Sequence, residues 1–83
     1  MICTTSALMV TMHRRPNWKV SVYGREHGVS HFHVEGPGFR CSVRIDTLEV
    51  IVGSAPAAVL RMAVAWAATN RAVLLTKWQE LNP

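Results

Sequence analysis

The sequence predicts an α+β domain in which an antiparallel sheet of three to four strands is followed by two C-terminal helices packed on one face. Between Trp18 and Val52, apolar and polar residues alternate in short runs, whereas from Ser54 onward the apolar residues recur at helical spacing. Hydrophobic residues make up 49% of the chain and charged residues 17%, which favours a folded core over disorder. A half-buried sheet and two amphipathic helices together make a two-layer domain.

The N-terminal residues give two interpretations. Residues 1–12 contain Thr, Ser and Met without a clear period, so a short strand near Leu8 to Met12 and a loose leader both fit. Arg15-Pro16-Asn17 then has the composition of a turn. We therefore expect a leader or short strand over 1–15 and a single α+β domain over 16–83.

The extended runs follow this turn. The most regular of them is 39–46, where apolar and polar residues alternate as in an antiparallel strand with one face in solvent. We expect strands over residues 18–23, 31–35, 39–45 and 48–52, separated by Gly24, by Gly36-Pro37-Gly38 and by Asp46-Thr47, and ended by Gly53.

Two helices are predicted after the strands. Ser54-Ala55-Pro56 offers a capping residue and a proline suited to a first helical turn, and this helix should stop near Asn70. A second helix over 71–81 places Leu74, Trp78 and Leu81 on one stripe. We expect Trp78, like Trp66 in the first helix, to serve as a core contact.

Composition and charge narrow the functional classes. The net charge of +4 favours acidic partners. Cys3 and Cys41 are too few for a disulfide scaffold and do not form a metal-type pair, which favours a reducing, cytoplasmic setting. The charges near the N-terminus follow the apolar residues, the wrong order for a signal peptide, and no apolar run is long enough to span a membrane.

The strand pattern places most of the charged residues and histidines of the strands on one face of the predicted sheet. Successive strand residues point to opposite faces, so the polar positions of the strands share the face that the helices leave open. This predicted open face carries Lys19, Tyr23, His31, His33, Glu35, Arg40 and Arg44. A basic platform that bears histidines results.

Several functions fit this platform. Imidazole and carboxylate groups suit zinc or another divalent transition metal, with Glu26, His27, His31 and His33 as candidate ligands, although nearby arginines would repel a cation. Alternatively, His31 and His33 could act as general acid and base while arginines hold a phosphodiester. A third function is binding without catalysis, which requires the least precise placement of side chains. The candidate residues for contacts with phosphates or with an acidic protein are Lys19, Tyr23, Arg25, Arg40 and Arg44, with help from Arg14 and Arg15.

The motif around these residues resembles a known family. Glu26-His27, three residues and then His31-Phe32-His33-Val34 give the pattern E-H-x-x-x-H-x-H, followed by a strand pair and by helices that contain Trp66 and Trp78. From about Trp18 to its end, the chain resembles the small bacterial proteins catalogued as domain of unknown function 4160. Gly28-Val29-Ser30 stands where members typically have prolines, which predicts a less rigid loop.

The resemblance implies a small cytoplasmic protein encoded beside another short gene in a toxin-antitoxin-like module, and it assigns no reaction to the motif residues. We therefore expect a binding protein without a cofactor, which takes nucleic acid or a small acidic partner protein, has no membrane role and could form a homodimer. The alternative is a small nuclease or toxin that uses His31 and His33 as acid and base or as metal ligands. Whether the chain is an enzyme stays open.

Overall fold

The computed structural model describes residues 8–83, which form one five-stranded antiparallel sheet and two helices. The strands are ordered β1-β2-β3-β4-β5, so that each pairs with its neighbours in the chain. The elements are β1 (Met9–Arg15), β2 (Trp18–Tyr23), β3 (His31–Gly36), β4 (Phe39–Arg44), β5 (Val50–Ser54), α1 (Ala57–Thr69) and α2 (Arg71–Leu81). The antiparallel sheet followed by two C-terminal helices is confirmed, and the expected number of three to four strands is wrong.

The additional strand is β1, which lies in the segment that was expected to be either a short strand or a leader. Its pairing with β2 shifts between Thr11 and His13, so that Met12 is an extra residue in the ladder. A bulge of this kind interrupts the two-residue period, which explains why the alternation is not visible in the sequence. Residues 1–7 of the same segment lie outside the described residues.

The last strand begins later than the sequence predicts. Leu48 adopts a positive φ of 64°, and Glu49 N donates to Thr47 Oγ1 at 3.3 Å, so the chain is still turning there. β5 therefore starts at Val50 and includes Gly53, whose φ is 83°. The predicted end at Gly53 fails because glycine accepts this conformation within the strand.

One face of the sheet and the helices enclose the hydrophobic core. Phe32, Val20 and Val43 are fully buried there, together with Ala63 of α1 and Leu74 of α2. Trp78 is 7% exposed and joins this cluster, as expected for a core residue. The His13 ring stacks on Trp66 with 4.8 Å between centroids, which fixes α1 against β1.

The other face of the sheet is not uniformly wet. Ser21, His33 and Ser42 are 0%, 5% and 8% exposed, although all three are polar. They lie side by side in register on β2, β3 and β4, at the centre of the face. The expectation of a solvated face is therefore wrong at its centre, where the Tyr23 ring and the Glu26 carboxylate contact His33.

The two edges of the sheet differ in character. All five residues of β5 are exposed, and Val50, Ile51 and Val52 expose 41%, 47% and 64% of their surface. The opposite edge, β1, ends in Arg14 and Arg15, whose charge discourages pairing with another strand. Both edge strands contain a register shift, at Met12 in β1 and at Ile51 in β5.

No single helix within residues 8–83 is long and apolar enough to cross a membrane. Only α1 and α2 taken together, bent by 86°, reach the length and composition of such a span.

Candidate functional site

Two histidine rings converge on one carboxylate oxygen of Glu26. His31 Nε2 lies 2.9 Å from Glu26 Oε1, and His33 Nε2 lies 3.0 Å from the same oxygen. The side chains are 12%, 7% and 27% exposed for His31, His33 and Glu26. Two imidazole rings and a carboxylate therefore converge at a largely desolvated point, and we call these three residues the Glu26 cluster.

The strand and the loop position these groups in different ways. His31 and His33 are two residues apart on β3 and share a face, so a rigid ladder presents both rings. Glu26 comes from the β2–β3 loop, where its N–H donates to Asn82 Oδ1 at 2.9 Å. Asn82 Nδ2 also donates to Tyr23 O at 3.0 Å, so the end of α2 holds the loop in place.

The second nitrogen of each ring also has a partner. His31 Nδ1 lies 2.8 Å from Val29 O, and because a carbonyl only accepts, this nitrogen carries the proton. His33 Nδ1 lies 3.3 Å from Ser42 Oγ, a hydroxyl that can donate or accept. The His31 ring also packs on Trp78, with 4.7 Å between centroids. Both rings are fixed so that Nε2 points at Glu26.

The charge environment lowers the pKa of Glu26. Burial alone raises the pKa of this carboxyl, but hydrogen bonds and positive charge from His33 and His31 outweigh burial and bring the pKa below its usual value of 4.5. The ionised carboxylate is therefore the form that the folded protein stabilises.

A second polar group adjoins the cluster on the same face. Tyr23 Oη donates to Glu35 Oε2 at 2.9 Å, and Arg40 Nε approaches the same oxygen at 3.1 Å. The Tyr23 ring meets the edge of His33 at 4.8 Å and lies under the Arg40 guanidinium. Burial, followed by the Glu35 hydrogen bond, raises the pKa of Tyr23. These contacts link Arg40 to the cluster through Tyr23.

A pocket opens beside the Glu26 cluster. Its volume is about 460 Å³, and its walls come from the cluster, from β4 and from β5. The lining residues outside the cluster are Arg40, Cys41, Ser42, Val52 and Gly53. A small ligand there would meet both imidazole rings, a hydroxyl and a guanidinium.

The predicted arginines are already paired. Arg40 binds Glu35, and Arg44 makes two hydrogen bonds with Asp46, at 2.8 and 2.9 Å. The Arg44 pair raises the pKa of Arg44 and lowers that of Asp46. These arginines do not form the free cationic platform that the strand pattern predicted.

Cations without a carboxylate partner gather at the other end of the sheet. Arg14, Arg15 and Lys19 line a concavity of about 360 Å³ at the β1–β2 turn, and no ion pair engages them within residues 8–83. Arg14 lies directly opposite Lys19 in the ladder. Glu35 also reaches this concavity, but its Oε2 is already bound to Tyr23 and Arg40.

The remaining predicted residues lie outside both groups. Arg25 is exposed in the β2–β3 loop with a φ of 59°. His27 is exposed and lies outside the set of potential metal ligands, which consists of Glu26, His31 and His33. The structure thus brings three of the four predicted ligands together.

Sequence reasoning did not select Ser42 or Asn82. Ser42 was predictable, because the two-residue turn Pro37-Gly38 fixes the register that places it opposite His33. Asn82 has no comparable signal, since its contacts with the β2–β3 loop span more than 50 residues.

The fold and the cluster define a small α+β domain with a partly buried Glu-His-His group on one sheet face. The chain belongs to the family described as domain of unknown function (DUF4160), whose model matches residues 17–79. The match includes every residue of the Glu26 cluster. No curated protein and no solved structure matches the chain.

The lowered pKa of Glu26 predicts a specific acid sensitivity. A carboxyl whose folded pKa lies below its unfolded value contributes stability above the unfolded value, and that contribution disappears as pH falls through the folded pKa. We expect Glu26→Gln to lower the free energy of unfolding at pH 7 and to flatten its decline below about pH 4.5. Urea unfolding between pH 3 and 7, with chelator present, measures both effects.

Glu80→Gln is the matched control, because Glu80 is an exposed carboxylate whose ion pair among residues 8–83 is with Lys77 on the helix surface. An unchanged acid profile in Glu26→Gln would show that the cluster does not stabilise the fold through its charge.

Proposed function

We propose that the protein is a non-enzymatic binding component that holds the phosphate backbone of a nucleic acid at the β1–β2 end of its sheet. The observation that carries the proposal is the group of Arg14, Arg15 and Lys19 around one concavity, which we call the basic hairpin. Within residues 8–83 these cations have no carboxylate in ion-pair contact.

The register of the basic hairpin supports an anionic ligand. Like charges directly opposite each other across a ladder repel, and Arg14 faces Lys19 in this way. A phosphate between the two side chains would turn this repulsion into attraction. Arg14 and Arg15 are exposed, so a polymer backbone can reach them without a change of fold.

The pairing of Arg40 and Arg44 moves the proposed interface away from the centre of the sheet. Each guanidinium would have to leave a carboxylate before it could bind a phosphate. Lys19 is therefore the predicted binding residue that the proposal keeps at its centre. Arg14 and Arg15, which were expected to assist, become principal contacts.

The proposed setting is a small bacterial gene module of the toxin-antitoxin kind, in the cytoplasm. Membership of the domain of unknown function 4160 family supports this setting through the resemblance described above. Cys41, a free thiol that is 2% exposed, is compatible with a reducing compartment. A small acidic partner protein is the other occupant that the basic hairpin could take.

Salt dependence tests the nucleic-acid interface. Three phosphate contacts predict that log Kobs falls against log salt with a slope of about −2 to −3. Arg14→Ala and Lys19→Ala should each weaken binding and reduce the steepness of that slope by about 0.7–0.9. Fluorescence anisotropy with a labelled single strand and a labelled duplex of mixed sequence measures both quantities.

Arg61→Ala is the control, because it removes an exposed cation of the same charge from α1, outside the basic hairpin. If Arg61→Ala weakens binding as much as Arg14→Ala, the interface is only net charge and the proposal fails. Binding of an acidic protein but of neither nucleic acid would assign the hairpin to the other occupant.

A second candidate function is cleavage of a phosphodiester, and the pocket beside the Glu26 cluster favours it. His31, His33, Ser42 and Arg40 all line that pocket, so acid-base groups and an anion-binding group meet there. In the structure both Nε2 atoms contact Glu26, so an acid-base mechanism requires the carboxylate to move aside.

Variants of the two kinds of histidine test this candidate. We expect His31→Ala to abolish RNA hydrolysis with the circular dichroism spectrum unchanged, and His27→Ala to retain it, because His27 lies outside the cluster. Equal rates in wild type, His31→Ala and a no-protein control would remove the candidate.

A homodimer through β5 completes the proposed function. The exposed edge of β5 is apolar and uncharged, so two copies can pair antiparallel without repulsion between their edge strands. The basic edge of β1 lacks this property. Pairing would also place the second copy next to Val52, which lines the pocket.

Light scattering after size exclusion tests the dimer. We expect a dimer for the wild type and a monomer for Ile51→Lys, because each copy would then bring a charge into an interface made of apolar edge strands. Val73→Lys on α2, where the valine is 54% exposed, should leave the dimer intact. A monomeric wild type would contradict the arrangement.

A further inference from the structure

We propose that the Glu26 cluster is a binding site for a divalent first-row transition metal, with zinc the ion whose coordination fits it best. The ligand atoms would be Nε2 of His31, Nε2 of His33 and a carboxylate oxygen of Glu26. This site is separate from the basic hairpin and goes beyond the proposed nucleic-acid function.

The hydrogen bonds of the His31 ring favour a cation beside its Nε2. Its Nδ1 carries a proton because its neighbour at 2.8 Å is the Val29 carbonyl. In the neutral ring, Nε2 is then a bare acceptor, and it lies 2.9 Å from a carboxylate oxygen, another acceptor. Two acceptors remain this close only when a proton or a cation stands between them. The cluster is built to hold a positive species at that point.

The outer contacts of both rings match those of metal-binding histidines. Metal-ligating histidines usually donate the other ring N–H to a carbonyl, a carboxylate or a water, which fixes the tautomer. Val29 O provides such an acceptor for His31, and Ser42 Oγ, 3.3 Å away, can provide one for His33. Both Nε2 lone pairs are then directed toward Glu26.

The dimensions also fit. Zinc bonds to imidazole and carboxylate of about 2.0–2.2 Å in a tetrahedral site place neighbouring ligand atoms about 3.3 Å apart. The two N–O distances here are 2.9 and 3.0 Å, and all three ligand atoms lie within 4.8 Å of one another, so the carboxylate oxygen must move away from the rings by a few tenths of an ångström to admit the ion. Glu26 can make this movement because it lies on a loop, whereas the histidines lie on β3.

The surrounding charges permit a cation. The arginines of this face would repel a metal if they were free, but Glu35 neutralises Arg40 and Asp46 neutralises Arg44. Three protein ligands leave a fourth tetrahedral position, the arrangement of zinc sites that accept water or a ligand. The pocket of about 460 Å³ adjoins this position and supplies Ser42 and Arg40.

Metal binding is a ligand exchange and requires no redox partner. Three ligand–metal bonds replace the two contacts of Glu26 Oε1 with the imidazole rings, and any proton held on either Nε2 passes to Nδ1 of the same ring or to solvent.

Zinc titration of the chelator-treated, full-length protein is the test. Calorimetry with Zn²⁺ should give one equivalent per chain and a rise in melting temperature, and Co²⁺ should give the visible absorption of a tetrahedral site. We expect at least a tenfold loss of Zn²⁺ affinity in Glu26→Gln, His31→Ala and His33→Ala. Ser42→Ala should lose about 10- to 100-fold, because it removes the partner of His33 Nδ1.

His27→Ala is the matched control, since it deletes the exposed histidine of the same motif and leaves the cluster intact. Wild-type affinity in His27→Ala together with the loss in Glu26→Gln supports the site. Failure of the wild type to bind one equivalent overturns it, as does an equal loss in His27→Ala. Because His33 is buried, its replacement by alanine is the change most able to unfold the chain; if His33→Ala unfolds, the smaller changes Glu26→Gln and Ser42→Ala decide the outcome.

Discussion

The shared oxygen of Glu26 is the constraint on which the polar half of this molecule depends. His33 is 5% exposed at the centre of the sheet, and a buried imidazole without a partner would destabilise the fold. Asn82 holds the β2–β3 loop against the end of α2, which places Glu26 beside His33. The two contacts of Glu26 therefore tie β3 and the loop before it to a residue 56 positions away from Glu26 in sequence.

The distribution of charge follows from cross-strand pairing. Glu35 lies opposite both Lys19 and Arg40, and its bound oxygen goes to Arg40 and Tyr23. Within residues 8–83, that arrangement leaves Lys19 and Arg14 with no carboxylate in ion-pair contact, and it also neutralises the Arg40 charge that would oppose a metal near His33. The Glu35 carboxylate thus divides the sheet face into two parts. One part keeps the unpaired charges of the basic hairpin, and the other holds the histidines beside a neutralised Arg40. The two proposed sites follow from one electrostatic arrangement.

Most of the fold could be predicted from the sequence because strand alternation, helical spacing and turn residues are local features of the chain. The boundaries of α2 match the expected 71–81, and β2, β3 and β4 begin where the alternation begins. The pattern of β1 fits both a strand and a leader because the bulge at Met12 breaks the period, and β5 begins later than the pattern predicts because Leu48 takes an unusual positive φ. Both failures occur where the backbone leaves its regular geometry, which composition does not encode strongly.

The candidate site was only half accessible, for a related reason. The turn at Pro37-Gly38 sets the register of β3 and β4, so the Glu35–Arg40 pair and the His33–Ser42 contact could have been inferred from strand geometry. The direction of the Glu26 side chain could not, because it depends on a loop fixed by a residue 56 positions away. Two histidines at alternate positions of a strand therefore predict that both rings share a face. The tertiary structure, and not the motif, brings the Glu26 carboxylate to both rings. This difference explains why the motif included His27, which the loop turns to solvent, with equal weight.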